Sequence, residues 1–183
     1  MTEAPPPFSR PLRVDRLPPR PTRQTIVADA AGRAALAEAF GLLALESFEA
    51  KVEVEPKGRK GAVRVAGQLE ARLTQTCGVT LVPLPAHVEA RFTLSFAPVE
   101  TLEAEAPELD LTLADLADPD PIVDGEIDLG WAVAEQLALA IDPFPRAPGA
   151  QFDPPPEAAE ETAAPQTAPS PFSVLAGLRQ KLR

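Results

Sequence analysis

Residues 48–76 read FEAKVEVEPKGRKGAVRVAGQLEARLTQT, and the fold turns on their period. Phe48, Ala50, Val52 and Val54 alternate with Glu49, Lys51, Glu53 and Glu55, the two-residue period of a strand with one face in a core and the other in water. PKGRKG supplies a turn. Beyond it Val63, Val65, Leu69, Ala71 and Leu73 take the odd positions while Arg64, Gln68, Glu70, Arg72 and Thr74 take the even ones, so the spacing predicts a long hairpin. After VTLVPLP a third strand places Ala86, Val88, Ala90, Phe92, Leu94 and Phe96 on one face and His87, Glu89, Arg91, Thr93 and Ser95 on the other. The expectation is an α+β fold: an antiparallel β-meander with one apolar face, packed by two helices.

Both helices are legible on either side of the meander. Upstream, Asp29 reads as an N-cap, and Leu36, Phe40 and Leu43 follow at i, i+4, i+7 spacing, predicting a helix from about Ala30 to Gly41 although Gly32 weakens it. Before it, FSRPLRV and TRQTIVAD each read as a short edge strand around Pro18 and Pro19. Downstream, residues 98–125 read as an acidic, irregular surface excursion. Asp128 then caps a helix whose stripe is Leu129, Ala132, Val133, Leu137, Ala140 and Ile141, with Leu137 as a core residue, and Pro143 stops it.

With 183 residues and 23 prolines, one domain plus tails is expected: a domain over 1–146 with disorder over 1–7, then a disordered linker over 147–170 rich in Ala, Pro, Glu and Thr. A last island, PFSVLAGLRQKLR over 171–183, places Phe172, Leu175, Leu178 and Leu182 at helical spacing and reads as a short amphipathic docking helix. No charged segment followed by an apolar core opens the sequence, and WAVAEQLALAI has about half the length of a membrane span. A cytoplasmic protein without membrane contact is expected.

Charge divides the chain. Residues 1–75 carry 12 Lys/Arg and 9 Asp/Glu, residues 76–167 carry 2 and 18, and residues 168–183 carry 3 and none. The acidic middle repels phosphate. RNA contact would therefore fall to the ends, including the five arginines from Arg10 to Arg23, or to the loop Lys57-Gly58-Arg59-Lys60.

No catalytic constellation emerges. Cys77 continues the apolar side of the second strand, whereas His87 lies on the polar side of the third, so a Cys/His nucleophilic pair is disfavoured. One Cys and one His fall short of a structural zinc site, and neither a metal nor any other cofactor is expected. Cys77 reads as a small buried hydrophobe. The carboxylates between Glu100 and Asp128 have no fixed spacing or basic companion, no glycine-rich phosphate loop occurs, and no small-molecule substrate is evident. A Cys77-dependent hydrolase stays as the enzymatic alternative, with high thiol reactivity as its sign. A general interaction adaptor using the terminal helix is the other.

Three segments, LEARLTQTCGVTLVPL, DGEIDLGWAVAEQLALAIDPFPRAPGA and PFSVLAGLRQKL, resemble the YceD family in the form typical of alphaproteobacteria. The resemblance implies a binding factor that supports accumulation of large-subunit ribosomal RNA, with a large-subunit ribosomal protein or precursor RNA as partner. Many members carry a Cys-x-x-Cys pair at the strand end; here Cys77 matches its first cysteine and Thr80 stands at the second, so the metal-type motif is incomplete and Cys77 is expected to pack. Glu135, Gln136, Asp142 and Arg146 belong to the resembling block without being evident core residues, and with Phe172 and Leu175 they are the candidate binding residues.

Overall fold

The alternation of residues 48–76 becomes a paired ladder in the computed structural model, which describes residues 6–57, 61–99 and 119–152. In chain order the elements are β1 (Pro11–Arg13), β2 (Thr22–Val27), α1 (Ala30–Ala39), β3 (Ala44–Lys57), β4 (Ala62–Thr76), β5 (Pro83–Pro98), β6 (Asp120–Ile122), β7 (Glu126–Asp128) and α2 (Leu129–Ala140). β3 and β4 pair antiparallel with Phe48 opposite Ala71 and Val54 opposite Val65, and β4 and β5 pair with Leu69 opposite Ala90. The five-stranded sheet runs β2-β3-β4-β5-β6, antiparallel throughout except for β6, which lies parallel to β5. Two helices pack on it, α1 against β3 and α2 against β5 and β4. The fold is α+β, an antiparallel meander covered by two helices.

The inward residues follow the period with one interruption. Phe48, Ala50, Val52, Val54, Val63, Val65, Leu69, Ala71 and Leu73 are all buried, with Leu36 of α1 and Leu129, Val133 and Leu137 of α2 in the same cluster. A register shift between Leu45 and Ser47 lets both Leu45 and Phe48 face inward, because one extra residue reverses the parity of a strand. On β5 only Phe92, Phe96 and Ala97 are fully buried; Ala86, Val88, Ala90 and Leu94 are half-buried beyond the reach of the short β6.

Three local readings change. Residues 98–125 were expected to be irregular throughout, but Asp120–Ile122 pairs with Phe96–Pro98; three residues are too few to display a period. FSRPLRV does not join the main sheet, since Pro11–Arg13 pairs with Glu126–Asp128 in a separate two-stranded ribbon. Leu43 leaves the face of α1, because Gly41 at φ +65° closes the helix, and its side chain is exposed.

Both helix starts have a carboxylate cap. The Asp29 side chain accepts from the Gly32 amide at 2.8 Å. Asp128 accepts through the same Oδ1 from the Trp131 amide at 3.0 Å and the Arg10 amide at 2.7 Å, so the cap of α2 also fastens the N-terminal arm. In that arm Phe8 is buried against Phe48, ring centroids 6.0 Å apart. Of the segment expected to be disordered, residues 1–5 lie outside the described residues.

Candidate functional site

The end of β4 and the segment after α2 are tied together around Cys77. The Cys77 amide donates to the Val82 carbonyl at 2.9 Å and the Leu81 amide to the Cys77 carbonyl at 3.0 Å, closing a turn over the sulfur. Into Sγ point the amides of Val79 and Thr80, each at 3.4 Å, and that of Ala147 at 3.3 Å. The Gly78 amide donates to the Pro145 carbonyl at 2.8 Å and Gln75 Nε2 to the Asp142 carbonyl at 2.9 Å. Asp142–Ala147 is thereby clasped to the sheet end.

These donors change the chemistry of the thiol. Hydrogen bonding from the Thr80 side chain first, then from the Thr80 and Ala147 amides, brings Cys77 from an ordinary thiol value down to about 6, against the upward pull of burial. A thiolate is the nucleophilic form, yet Cys77 exposes no surface, and attack requires access. The arrangement suits a hydrogen-bond acceptor that organises two segments. His87 lies on the outer face of the sheet, its Nε2 3.1 Å from Glu70. Around the clasp, large apolar side chains face water: Leu81, held at φ +60° where leucine is uncommon, and Phe144.

A second feature borders α2. Ser9 and Pro11, the end of β5, β6, β7 and the first turns of α2 surround a cleft of about 790 Å³. Its apolar lining includes Phe96, Ile127, Trp131 and Ala132, and among the described residues its charged lining is Asp120, Glu126, Asp128 and Glu135, with no Lys or Arg. Asp128 is committed to its caps and Glu126 meets Arg13 at 3.6 Å. Among the described residues neither Asp120 nor Glu135 has an ion-pair partner. Burial raises the Glu135 carboxyl above the usual range, with a hydrogen bond from Trp131 opposing and the nearby Asp120 charge adding to the rise. An acidic cleft with an indole in its wall suits a cationic side chain.

The strand end, the clasp and the cleft apart from Ser9 and Pro11 fall within residues 65–179, which match the family model described as large ribosomal RNA subunit accumulation protein YceD. The chain belongs to that family. No curated protein and no solved structure matches it. The match begins within β4, so β1–β3 and α1 precede the family segment.

Within the family segment the candidate binding residues separate into two groups. Glu135 lines the cleft, with the half-buried Gln136 next to it on α2. Asp142 belongs to the clasp, where its carboxylate also accepts from the Phe144 amide at 2.9 Å, and Arg146 lies between the clasp residues Pro145 and Ala147. Phe172 and Leu175 lie outside the described residues. Sequence reading missed Asp120 and Trp131; the one tryptophan of the chain, placed directly after a capped helix start, was the available signal. No helix among the described residues is long and apolar enough to cross a membrane.

Proposed function

We propose that the chain is a non-enzymatic cytoplasmic factor that supports accumulation of large-subunit ribosomal RNA by binding a basic large-subunit ribosomal protein. The observation that carries this reading is the acidic cleft beside α2: among the described residues its lining holds four carboxylates and no cation, and the chain belongs to a family described by large-subunit RNA accumulation. Ribosomal proteins present Lys and Arg to RNA, and a surface of opposite sign steers them and keeps them from wrong contacts. Direct RNA contact through the N-terminal arginines is less favoured because Arg13 is engaged by Asp15 and Glu126, and Arg23 by Glu53. The terminal motif with Phe172 and Leu175 acts as a second, tethered contact with the same partner.

The test is affinity purification of the full chain from its native host, with co-purifying RNA and protein identified, beside the variant Asp120→Asn, Glu135→Gln. The expected result is a large-subunit ribosomal protein that survives nuclease treatment and is depleted in the variant. The same variant in a deletion strain should lower the ratio of large- to small-subunit ribosomal RNA. Recovery of RNA alone would assign the binding to RNA. Partners unrelated to ribosomes would support a general adaptor and overturn the proposal.

A further inference from the structure

We propose that Glu70, His87 and Glu89 form a divalent-metal site on the outer face of the sheet, independent of the cleft and of the ribosomal reading. The register places Glu49 opposite Glu70 and Glu70 opposite Glu89, so carboxylates fill one row across β3, β4 and β5. Like charges directly opposite one another weaken a sheet. Cationic side chains stand in the neighbouring rows: Lys51 and Arg91 flank Gln68 on one side, and Arg72 is opposite His87 on the other. Lys51 turns to Glu49 at 3.3 Å. Among the described residues Glu70 and Glu89 share one close side-chain partner, His87, whose Nε2 lies 3.1 Å from Glu70 Oε1 and 3.8 Å from Glu89 Oε1.

This geometry is that of a metal-ligand set as well as of a hydrogen-bonded pair. His87 and Glu89 are two apart on β5 and so share a face, while Glu70 comes from the adjacent strand. The three ligand atoms lie within 4.8 Å of one another. Small rotamer changes bring such a set around one ion at about 2.0–2.2 Å from nitrogen and oxygen. One imidazole and two carboxylates suit zinc or manganese and leave coordination positions open. Beside the row lies a shallow concavity of about 300 Å³, lined by Glu49, Glu70 and Glu89 and by the cationic Lys51 and Arg91 but not by His87, which leaves water ligands room on the carboxylate side. Because the three side chains are exposed, ordering them opposes binding and the affinity is modest. Cys77 faces the buried side and takes no part.

The experiment titrates the full chain with zinc chloride by calorimetry and follows the melting temperature, alongside His87→Ala, Glu70→Gln and Cys77→Ser. Saturable binding of one ion is expected, with a rise in melting temperature on saturation. His87→Ala and Glu70→Gln, both surface changes that leave the metal-free melting temperature in place, should weaken binding by on the order of tenfold or more, 1.4 kcal/mol per tenfold. Cys77→Ser should bind as the parent does, and cobalt(II) in place of zinc should give no thiolate charge-transfer band. Absence of saturable zinc binding, undiminished binding by His87→Ala, or a thiolate band would each overturn the proposal.

Discussion

Gly130→Ala is a substitution whose sign is reversed by one contact. In an exposed helix, alanine in place of glycine stabilises by about 1 kcal/mol. In the first turn of α2, a Cβ on Gly130 would lie 2.7 Å from the Arg10 nitrogen, 2.8 Å from the Phe8 oxygen and 2.9 Å from the Ser9 carbonyl carbon. All three atoms are backbone, so no side chain can swing aside. Overpacking of this kind costs about 1–3 kcal/mol, and displacing the arm sets the upper limit. That limit includes about 1.5–3 kcal/mol for the burial of Phe8. It also includes about 1 kcal/mol for each of the hydrogen bonds from the Arg10 amide to Asp128 and from the Leu129 amide to the Arg10 carbonyl. Set against the helix gain, the net expectation is a loss of up to about 2 kcal/mol, read from the urea midpoint with an unchanged slope. In a chain lacking residues 1–10 the obstructing backbone is gone, and the same substitution should stabilise by up to about 1 kcal/mol. A full-length Gly130→Ala protein more stable than its parent would refute the account. Ser9 and Pro11 also line the cleft, so lifting the arm should weaken partner binding too.

Leu137→Asp should abolish cooperative unfolding, because it places a charge where the side chain has no exposed surface, a cost of several kcal/mol; a soluble variant melting like the parent would show that α2 is not packed as described. Cys77 makes stability depend on pH. Its folded-state value is lowered from 9.0 to about 6, so the thiolate contribution is fully present above about pH 9 and is lost as the pH falls through 6. The urea midpoint of the parent should rise from pH 6 to pH 9 relative to that of Cys77→Ala, and parallel profiles for the two proteins would remove the thiolate from the account.

The meander was legible because its signal is local and repeated: the inward residues keep the even positions from Phe48 to Val54 and the odd ones from Val63 to Leu73, and the stripe of α2 repeats at helical spacing. Single events were not. The register shift at Leu45 and Ser47 alters one residue, and β6 is three residues whose partner lies across the chain. Glycine was misread in a more instructive way. Gly32 looked like a weakness of α1, yet a Cβ there would lie 3.0 Å from the Phe8 ring; the absent side chain makes the notch that Phe8 fills. Helix propensity is a property of the segment, whereas the notch belongs to an arm 24 residues upstream, and no local period records it.

Cys77 shows how far a residue type constrains a site. Burial followed from its place on the odd side of β4, but the donors did not, since Ala147 is 70 residues away and reaches the sulfur only through the course of α2. Thr80 supplies its hydroxyl and amide to the sulfur, and the Ala147 amide arrives from the far segment. Neutral donors thus stabilise negative charge on a buried sulfur. They also form a cross-link, because the same contacts fix Asp142–Ala147 to the sheet. The sulfur serves as an acceptor, and through it the segment that follows α2 keeps its place.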